Sequence, residues 1–480
     1  MSPTRMVRLV LAAVGFAFWI CTLHSNPPEG LSDPGWRTLG VAVLMGTLWI
    51  SELFPFAVTA LFPIVLFPAS GAGDIQTATA PYANPVIFLF LGGIFIALAM
   101  ESTGLHRRIS LAIISCAGVR KRAVIGGFLA SSGFLSMWVN NTAVAVMMLP
   151  IAISVIALFQ IEDEAPFACA LLLSIAYGAN IGGMATLVGT PPNAILAGFM
   201  EESHGVRISF TGWLLMAGPL SLILLFLSWL YLTRIGFGIG KGELPSGRDL
   251  IFTESKKIGQ MSSAEKRVAF VFTGTALLWI LRGTFTEAIP WLSDPGIAML
   301  GGLLLFVLPE SKLDSPRILD LHAIRKAPWD VLILIGGGLS LANGIQTNGV
   351  AAWIVGHASK MDTLPIPLIV SGIVLLIVLL TEITSNSATT STFLPIVASI
   401  AVGFGENPLF LGAAVALASS CAFMMPVATP PNAIVFGSGR IPLVKMMQTG
   451  VALNIISWTL ITAWIVWIAP RIPGISLSSN

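Results

Sequence analysis

The feature that most constrains this chain is a series of apolar stretches, about 17–25 residues long, separated by short polar or Pro- and Gly-rich breaks. A soluble domain carries about a quarter charged residues, whereas 10% of these 480 residues are charged and 55% are hydrophobic. Such a chain cannot cover a water-facing surface with charge, so its solvent is largely lipid. The pattern predicts an all-α polytopic membrane protein in a lipid bilayer.

About eleven transmembrane helices are predicted from length and hydropathy. They are 6–23, 36–52, 53–69, 85–105, 165–200, 212–235, 267–283, 293–309, 330–357, 407–438 and 446–469. Basic residues concentrate in loops that we place in the cytoplasm. This puts the N-terminus inside and the C-terminus outside a plasma (inner) membrane. Segment 6–23 is interpreted as the first span and not as a cleaved signal peptide, because no A-x-A-like site follows it.

The two halves of the chain repeat one another. Three segments match later segments in the same order: 85–104 with 330–349, 139–152 with 384–397, and 187–195 with 426–434. The first two matches share an offset of 245 residues, and the third has an offset of 239. Three ordered matches are hard to obtain by chance in apolar sequence, so the pattern indicates duplication.

Charge indicates that the two copies are inverted in the membrane. A basic cluster at 120–122 leads into the first copy, whereas the equivalent positions 365–367 are uncharged. After the last match the first copy reads Glu-Glu at 201–202, whereas the second ends in Arg440 and Lys445. Inverted repeats with interrupted segments are typical of alternating-access carriers, which hold their substrate where the two copies meet.

Two further apolar regions, 123–160 and 363–404, are too long for one helix, and each has a polar tripeptide near its middle. The tripeptides are Asn140-Asn141-Thr142 and Ser385-Asn386-Ser387. A polar tripeptide halfway along an apolar run favours a turn, so each region is predicted as a re-entrant helical hairpin with that turn at its tip. Hydrogen bonding between helices is the alternative for one copy, but two copies in register favour a site.

Each copy also contains a Thr-Pro-Pro-Asn motif, at 190–193 and at 429–432. Two successive prolines remove backbone donors and clash with the preceding turn, so the helix is predicted to open just before them. The opening frees carbonyls around Gly189 and Ala428 that can coordinate a small cation such as sodium, and the prolines begin the next half-helix. The N-terminus of that half-helix, with its threonine hydroxyl, then faces an anion.

No Lys or Arg lies near these four interruptions in the sequence. A di- or tricarboxylate would therefore be held by amides, hydroxyls, helix termini and bound cations, and sodium would supply both positive charge and a driving gradient. Proton coupling would need a titratable group at membrane depth. Glu382 is the only acid close to a motif, and it is interpreted as structural because Met137 aligns with it in the other copy.

At these residues the chain resembles the divalent anion/sodium symporter family, the INDY-type carriers, over nearly its whole length. That family places a Ser-Asn-Thr tripeptide at the tip of each of two opposed re-entrant hairpins, with a Thr/Ser-Pro-Pro-Asn break after each. The resemblance implies a homodimer with scaffold and transport domains, an elevator motion and two sodium (Na+) sites. Asn140 and Ser387 depart from the family's Ser and Thr. Asn140 could alter which anion fits, whereas Ser387 slightly enlarges the site.

The resemblance also implies the binding residues. The first sodium site would be formed by Ser136, Asn140, Asn141 and Gly189. The second would be formed by Thr381, Asn386 and Ala428. Substrate carboxylates would meet Asn141, Thr142, Thr190, Ser385, Asn386, Ser387 and Thr429.

The predicted organisation follows from the repeat. Its parts are 1–105 (N-terminal scaffold helices and the first helix of repeat 1), 106–235 (repeat 1, with hairpin 123–160 and broken helix 165–200), 236–266 (cytoplasmic linker), 267–357 (second scaffold part), 358–445 (repeat 2, with hairpin 363–404 and broken helix 407–438) and 446–480 (last helix and C-terminus).

The sequence thus predicts a sodium-coupled importer of C4 dicarboxylates, such as succinate, malate and fumarate, with an elevator alternating-access mechanism. A dicarboxylate exchanger of the same family is the nearest alternative, and citrate or sulfate are alternative substrates. Broken inverted repeats disfavour a channel. An enzyme is disfavoured because the five histidines fall near span ends without ligand spacing. The net charge of +2 gives no argument for a nucleic-acid partner.

Overall fold

The structure is a computed structural model that describes residues 3–157, 165–243, 258–285, 289, 292–311, 316–358 and 365–472. Each of the six predicted parts of the chain includes residues outside the described ranges. These residues are 1–2, 158–164 (with the end of the first hairpin), 244–257 of the linker, 286–288, 290–291 and 312–315 in the second scaffold part, 359–364 (with the start of the second hairpin) and 473–480.

Helices make up most of the described part of the chain. The first eleven are Pro3–His24 (α1), Asp33–Ser51 (α2), Phe56–Ala60 (α3), Phe62–Ser70 (α4), Ile75–Thr79 (α5), Pro85–Thr103 (α6), Leu105–Ala117 (α7), Lys121–Ser136 (α8), Asn141–Ala157 (α9), Ala165–Gly183 (α10) and Pro191–His204 (α11). The next eleven are Phe210–Leu230 (α12), Ser263–Phe285 (α13), Asp294–Val307 (α14), Leu321–Lys326 (α15), Trp329–Thr347 (α16), Val350–Ala358 (α17), Ile366–Thr381 (α18), Asn386–Gly403 (α19), Pro408–Ser419 (α20), Pro430–Phe436 (α21) and Leu443–Ala463 (α22). Short π or 3-10 segments are Ala80–Ala83, Tyr231–Gly236, Trp464–Ile468 and Ala469–Arg471. Within these ranges β-pairing is limited to two isolated bridges, so the all-α prediction is confirmed.

Several helices start on the same local signal, a serine placed before the first turn. Ser32, Ser209 and Ser293 precede α2, α12 and α14, and each side chain accepts a hydrogen bond from the backbone N–H of the glycine three residues later. Such caps satisfy one of the four N–H groups that a helix leaves without an internal partner. The serines therefore fix where these apolar helices begin.

Within the described ranges, five apolar helical segments have the length and composition needed to cross a bilayer. They are Met6–His24, Ile75–Thr103, Ala165–Gly183, Phe210–Gly236 and Leu443–Arg471. Each overlaps a span predicted from the sequence. Shorter apolar helices include α9, α14, α18 and α20.

Two predicted spans are interrupted in the structure. The predicted span 53–69 consists of α3 and α4, which meet at Leu61, since Pro63 in the first turn of α4 has no backbone N–H with which to continue α3. The predicted span 330–357 consists of α16 and α17. These two helices are separated at Gly349, which has a φ of +78° that favours glycine.

The helices of the two repeats pack in a reciprocal pattern. In the first repeat α8 and α9 both pack on α10, and in the second repeat α18 and α19 both pack on α20. Across the repeats, α9 packs on α21 and α19 packs on α11. Residues 167–183 of α10 and 409–419 of α20 are all buried, as expected of helices that are apolar on every face. The sequence motifs that follow α10 and α20 are thus placed in the protein interior.

Close packing of α10 against α8 depends on Gly182. A Cβ at this position would lie 2.5 Å from the Cα and 2.6 Å from the carbonyl carbon of Gly133 in α8. Because the obstructing atoms are backbone, the helices would have to separate. We expect Gly182→Ala to destabilise the protein by about 1–3 kcal/mol, measured as a lower thermal unfolding midpoint in detergent.

Gly274 in α13 provides the matched control, since a Cβ there would meet nothing within 4 Å. Gly274→Ala should leave the midpoint unchanged or raise it slightly, because alanine favours helix over glycine by about 1 kcal/mol. Equal midpoints for the two variants would contradict the packing described for Gly182.

Candidate functional site

Both helix pairs that carry the polar tripeptides make the same hydrogen bond across their turns. In the first pair α8 ends at Ser136 and α9 begins at Asn141, and Ser136 Oγ donates to Asn141 Oδ1. In the second pair α18 ends at Thr381 and α19 begins at Asn386, and Thr381 Oγ1 donates to Asn386 Oδ1 at 2.7 Å. The repeat found in the sequence is therefore a repeat of side-chain geometry.

The other tripeptide residues have unequal surroundings. Asn140 is exposed, and its Oδ1 accepts the backbone N–H of Thr142 at 2.8 Å. This side chain thereby caps the start of α9. In the second tripeptide Ser385 is half-buried and Ser387 is buried. Asn140 and Ser387 are the two residues that differ from the family's tripeptide. The Asn140 side chain hydrogen-bonds to the start of its own helix, whereas the Ser387 side chain is buried inside the protein.

The helix breaks are longer than the sequence predicted. We define the first break as 184–190, between α10 and α11, and the second break as 420–429, between α20 and α21. The half-helices α11 and α21 begin at Pro191 and Pro430, as predicted. The prediction that each helix is open just before its prolines is confirmed. The breaks also extend several residues further, because α10 ends at Gly183 and α20 ends at Ser419.

The asparagine of each Thr-Pro-Pro-Asn motif explains this length. Asn193 Nδ2 donates to the carbonyls of Gly183, Met184 and Thr186 at 3.2, 3.1 and 2.8 Å. In the second repeat Asn432 Nδ2 donates to the carbonyls of Ala422 and Met425, both at 3.0 Å. Buried carbonyls need a donor, and these amides supply it, so the chain can remain unwound. Both asparagines belong to the repeated motifs, but their role was not predicted from the sequence.

Oxygen atoms converge where the first turn meets the first break. A Cβ on Gly183 would lie 2.9 Å from Asn141 Oδ1 and 3.2 Å from the Gly189 carbonyl oxygen. A Cβ on Gly189 would lie 2.9 Å from the Ser136 carbonyl oxygen. The structure thus brings together three of the four residues predicted for the first sodium site. Gly183 joins them unpredicted. Such an oxygen-rich set suits a hard cation.

The second turn contacts the end of α20 at Ser419. Thr381 Oγ1 also lies 2.7 Å from the Ser419 carbonyl oxygen, which shares the single hydroxyl hydrogen with Asn386 Oδ1. Thr390 Oγ1 lies 2.8 Å from Ser419 Oγ. Thr381 and Asn386 are therefore placed together as predicted, with Ser419 as an added oxygen source. Ala428 lies in the second break, where its N–H donates to the Met425 carbonyl at 3.2 Å.

The two breaks lie against one another in the interior. Met184 and Cys421, one from each break, are in sulfur–sulfur contact at 3.8 Å. Thr190 and Thr429 are 3% and 4% exposed and each immediately precedes its half-helix. The two predicted substrate threonines are thus buried at the ends of two breaks that contact one another.

Glu382 ties the second turn to the second break. Its carboxylate is buried and accepts the backbone N–H groups of Phe423, Met424 and Met425 at 2.7–3.0 Å. It also accepts from Asn454 Nδ2 at 2.7 Å. These four donors satisfy both oxygens of the carboxylate, in keeping with its interpretation as a structural group.

Structural comparison shows which solved structures share this fold. A crystal structure of the YdaH transporter of Alcanivorax borkumensis aligns with a TM-score of 0.55 and 14% identity, covering 91% of this chain and 98% of that one. The MtrF structure of Neisseria gonorrhoeae, described as illuminating a class of antimetabolite efflux pumps, aligns with a TM-score of 0.57 and 12% identity, covering 97% and 95%. The fold of this chain is shared with these two structures.

The family follows from sequence comparison. A family model described as the sodium:sulfate symporter transmembrane region matches residues 4–471, and this chain belongs to that family. A sodium-dependent dicarboxylate transporter, SdcS of Staphylococcus saprophyticus, is 38% identical over 98% of this chain and 93% of its own length. SdcS of Staphylococcus aureus strain USA300 is 37% identical over 99% and 94%. The family resemblance found in the motifs is confirmed, and the chain is an integral multi-pass membrane protein whose relatives are transporters.

Proposed function

We propose that this protein is a sodium-coupled symporter of C4 dicarboxylates such as succinate, malate and fumarate. The observation that carries the proposal is the duplicated hydroxyl–asparagine pair, Ser136 with Asn141 and Thr381 with Asn386, each beside a helix break. Relatives named as sodium-dependent dicarboxylate transporters, at 37–38% identity over nearly the whole chain, support the choice of ion and substrate.

Two sodium ions would be held by the twin turns. The first site consists of Ser136, Asn140, Asn141 and Gly189, with Gly183 as a further oxygen donor. The second consists of Thr381, Asn386 and Ala428, with Ser419 added. Bound sodium supplies the positive charge that lets a dianion enter a low-dielectric interior.

The substrate carboxylates would be held by hydroxyl and amide hydrogens between the two breaks. The proposed residues are Asn141, Thr142, Thr190, Ser385, Asn386, Ser387 and Thr429. Because Asn141 and Asn386 serve both a cation and the anion, sodium and substrate would favour each other's binding. This linkage would couple their transport.

The transport movement would be of the elevator type. The pairs α8–α9 and α18–α19 would be re-entrant hairpins of a mobile transport domain, and a scaffold would hold a homodimer in the plasma (inner) membrane. The predicted division of the chain at 105, 235, 266, 357 and 445 would describe these parts, with the N-terminus cytoplasmic and the C-terminus outside. The reciprocal packing of α9 on α21 and of α19 on α11 supports a two-fold relation between the repeats.

Uptake of labelled succinate into proteoliposomes tests this function. We expect an inward sodium gradient to drive accumulation, and replacement of sodium by potassium to abolish it, because the cation completes the site. Uptake that ignores the sodium gradient but requires internal dicarboxylate would identify an exchanger. Sulfate is the second candidate substrate because the family model carries its name. Stronger competition by unlabelled sulfate than by malate or fumarate would favour it.

A further inference from the structure

Asn180 is a buried amide of the first repeat whose hydrogen bonds all reach the second repeat. It lies in the last turn of α10 and is 1% exposed. Its Nδ2 donates to the Ala422 carbonyl and to Thr429 Oγ1, both at 3.2 Å, with Asn432 Oδ1 at 3.5 Å. A carbonyl can only accept hydrogen bonds, so the contact with Ala422 fixes which end of the Asn180 amide faces the second break.

These contacts determine the role of the Thr429 hydroxyl. A threonine hydroxyl has one hydrogen and two acceptor directions. Thr429 Oγ1 accepts from Asn180 Nδ2 and, at 3.4 Å, from the backbone N–H of Asn432. With both acceptor directions taken, the hydroxyl hydrogen is left to donate, and it meets no acceptor among the described residues. A hydrogen presented in this way suits a carboxylate oxygen.

The first repeat lacks this arrangement. Thr190, the counterpart of Thr429, makes no capping hydrogen bond through its side chain. The position equivalent to Asn180, at the offset of 239, is Ser419. Its Oγ donates to the Ala416 carbonyl at 3.0 Å and accepts from Thr390. The two threonines that the repeat makes equivalent are thus held differently.

We infer that Asn180 is a positioning residue for substrate recognition, which crosses between the repeats and holds Thr429 as a hydrogen-bond donor toward one substrate carboxylate. The inference rests on the proposed function. It assigns the two halves of the site unequal roles, with an oriented hydroxyl at Thr429 and an unrestrained one at Thr190.

A double-mutant cycle on the full-length purified protein tests this inference, with succinate binding at saturating sodium measured by calorimetry. Asn180→Ala should raise the succinate Kd about tenfold, as for loss of a hydrogen bond to a charged group. Because Asn180 acts through the Thr429 hydroxyl, it should add no further loss in a Thr429→Ala background. In a Thr190→Ala background the full tenfold loss should remain. The Kd of Asn180→Ala for sodium in the absence of succinate, measured from thermal stabilisation by sodium, should differ from the wild-type value by less than about twofold.

If Asn180→Ala reduces succinate affinity equally in the Thr429→Ala and Thr190→Ala backgrounds, the inference is overturned, since a general structural effect would act on both. If Asn180→Ala does not yield folded protein, Asn180→Ser gives the same cycle, because the shorter hydroxyl side chain cannot span 3.2 Å contacts to both acceptors. Absence of succinate binding by the unmodified protein in sodium would instead contradict the proposed function, and the inference with it.

Discussion

Replacing Asn141 or Asn386 with alanine is expected to reduce sodium-driven succinate uptake by at least about 100-fold while the protein stays folded. Each side chain is half-buried at a turn, and its Oδ1 accepts a hydrogen bond from the hydroxyl of its paired residue. Each is proposed to contact both a sodium ion and a substrate carboxylate. Loss of two interactions with charged groups, at about 1.5 kcal/mol or more each, corresponds to this factor. Uptake into proteoliposomes measures it.

Asn84→Ala provides the matched control for these two variants. Asn84 is another asparagine at a helix start, and it is buried. Its Oδ1 accepts the Val86 N–H at 3.0 Å and its Nδ2 donates to Glu202 Oε2 at 3.1 Å, but it lies outside both breaks. Its loss should cost about 1 kcal/mol of stability and leave uptake unchanged. Full activity of either turn variant would contradict the two-turn site.

Glu382→Ala is expected to give the largest loss of stability among single substitutions of side chains that hold the second break, about 3–5 kcal/mol. The substitution removes the common acceptor of three consecutive backbone N–H groups and of Asn454. These donors are in the protein interior, where an unsatisfied N–H costs its full desolvation. The measurement is the thermal unfolding midpoint in detergent, together with the yield of folded protein.

Two further substitutions sharpen the test of Glu382. The unfolding midpoint of Glu382→Gln should lie between those of the wild type and Glu382→Ala. Its carbonyl oxygen still accepts a hydrogen bond, but its NH2 group faces a backbone N–H. Glu29→Ala removes a carboxylate that is exposed, and it should leave the midpoint unchanged. A midpoint for Glu382→Ala equal to that of Glu29→Ala would show that the second break is held by other contacts.

The features that the sequence predicted correctly depend on local physical chemistry. Apolar length set the all-α class, and Pro191 and Pro430 begin half-helices because a proline in the first turn needs no N–H partner. Asn141 and Asn386 could be found because the duplication repeats them in register, whereas Ser136 and Thr381 were expected from the family resemblance.

The features that the sequence missed depend on contacts between distant segments. The breaks begin several residues before the prolines because the Asn193 and Asn432 amides donate hydrogen bonds to carbonyls of the unwound chain. Sequence spacing alone does not show which carbonyls these side chains contact. The motif repeat was the one available signal for these two residues. Asn180 carried no such signal, since its partners lie in the other repeat and its equivalent is Ser419.

Succinate binding to the purified protein, titrated against sodium concentration, tests the central claim most directly. We expect no succinate binding in potassium or choline. We also expect that, at subsaturating sodium, the logarithm of the association constant rises with the logarithm of sodium concentration with a slope of about 2, one for each turn. Succinate affinity that is the same with and without sodium would contradict sodium coupling at the two turns.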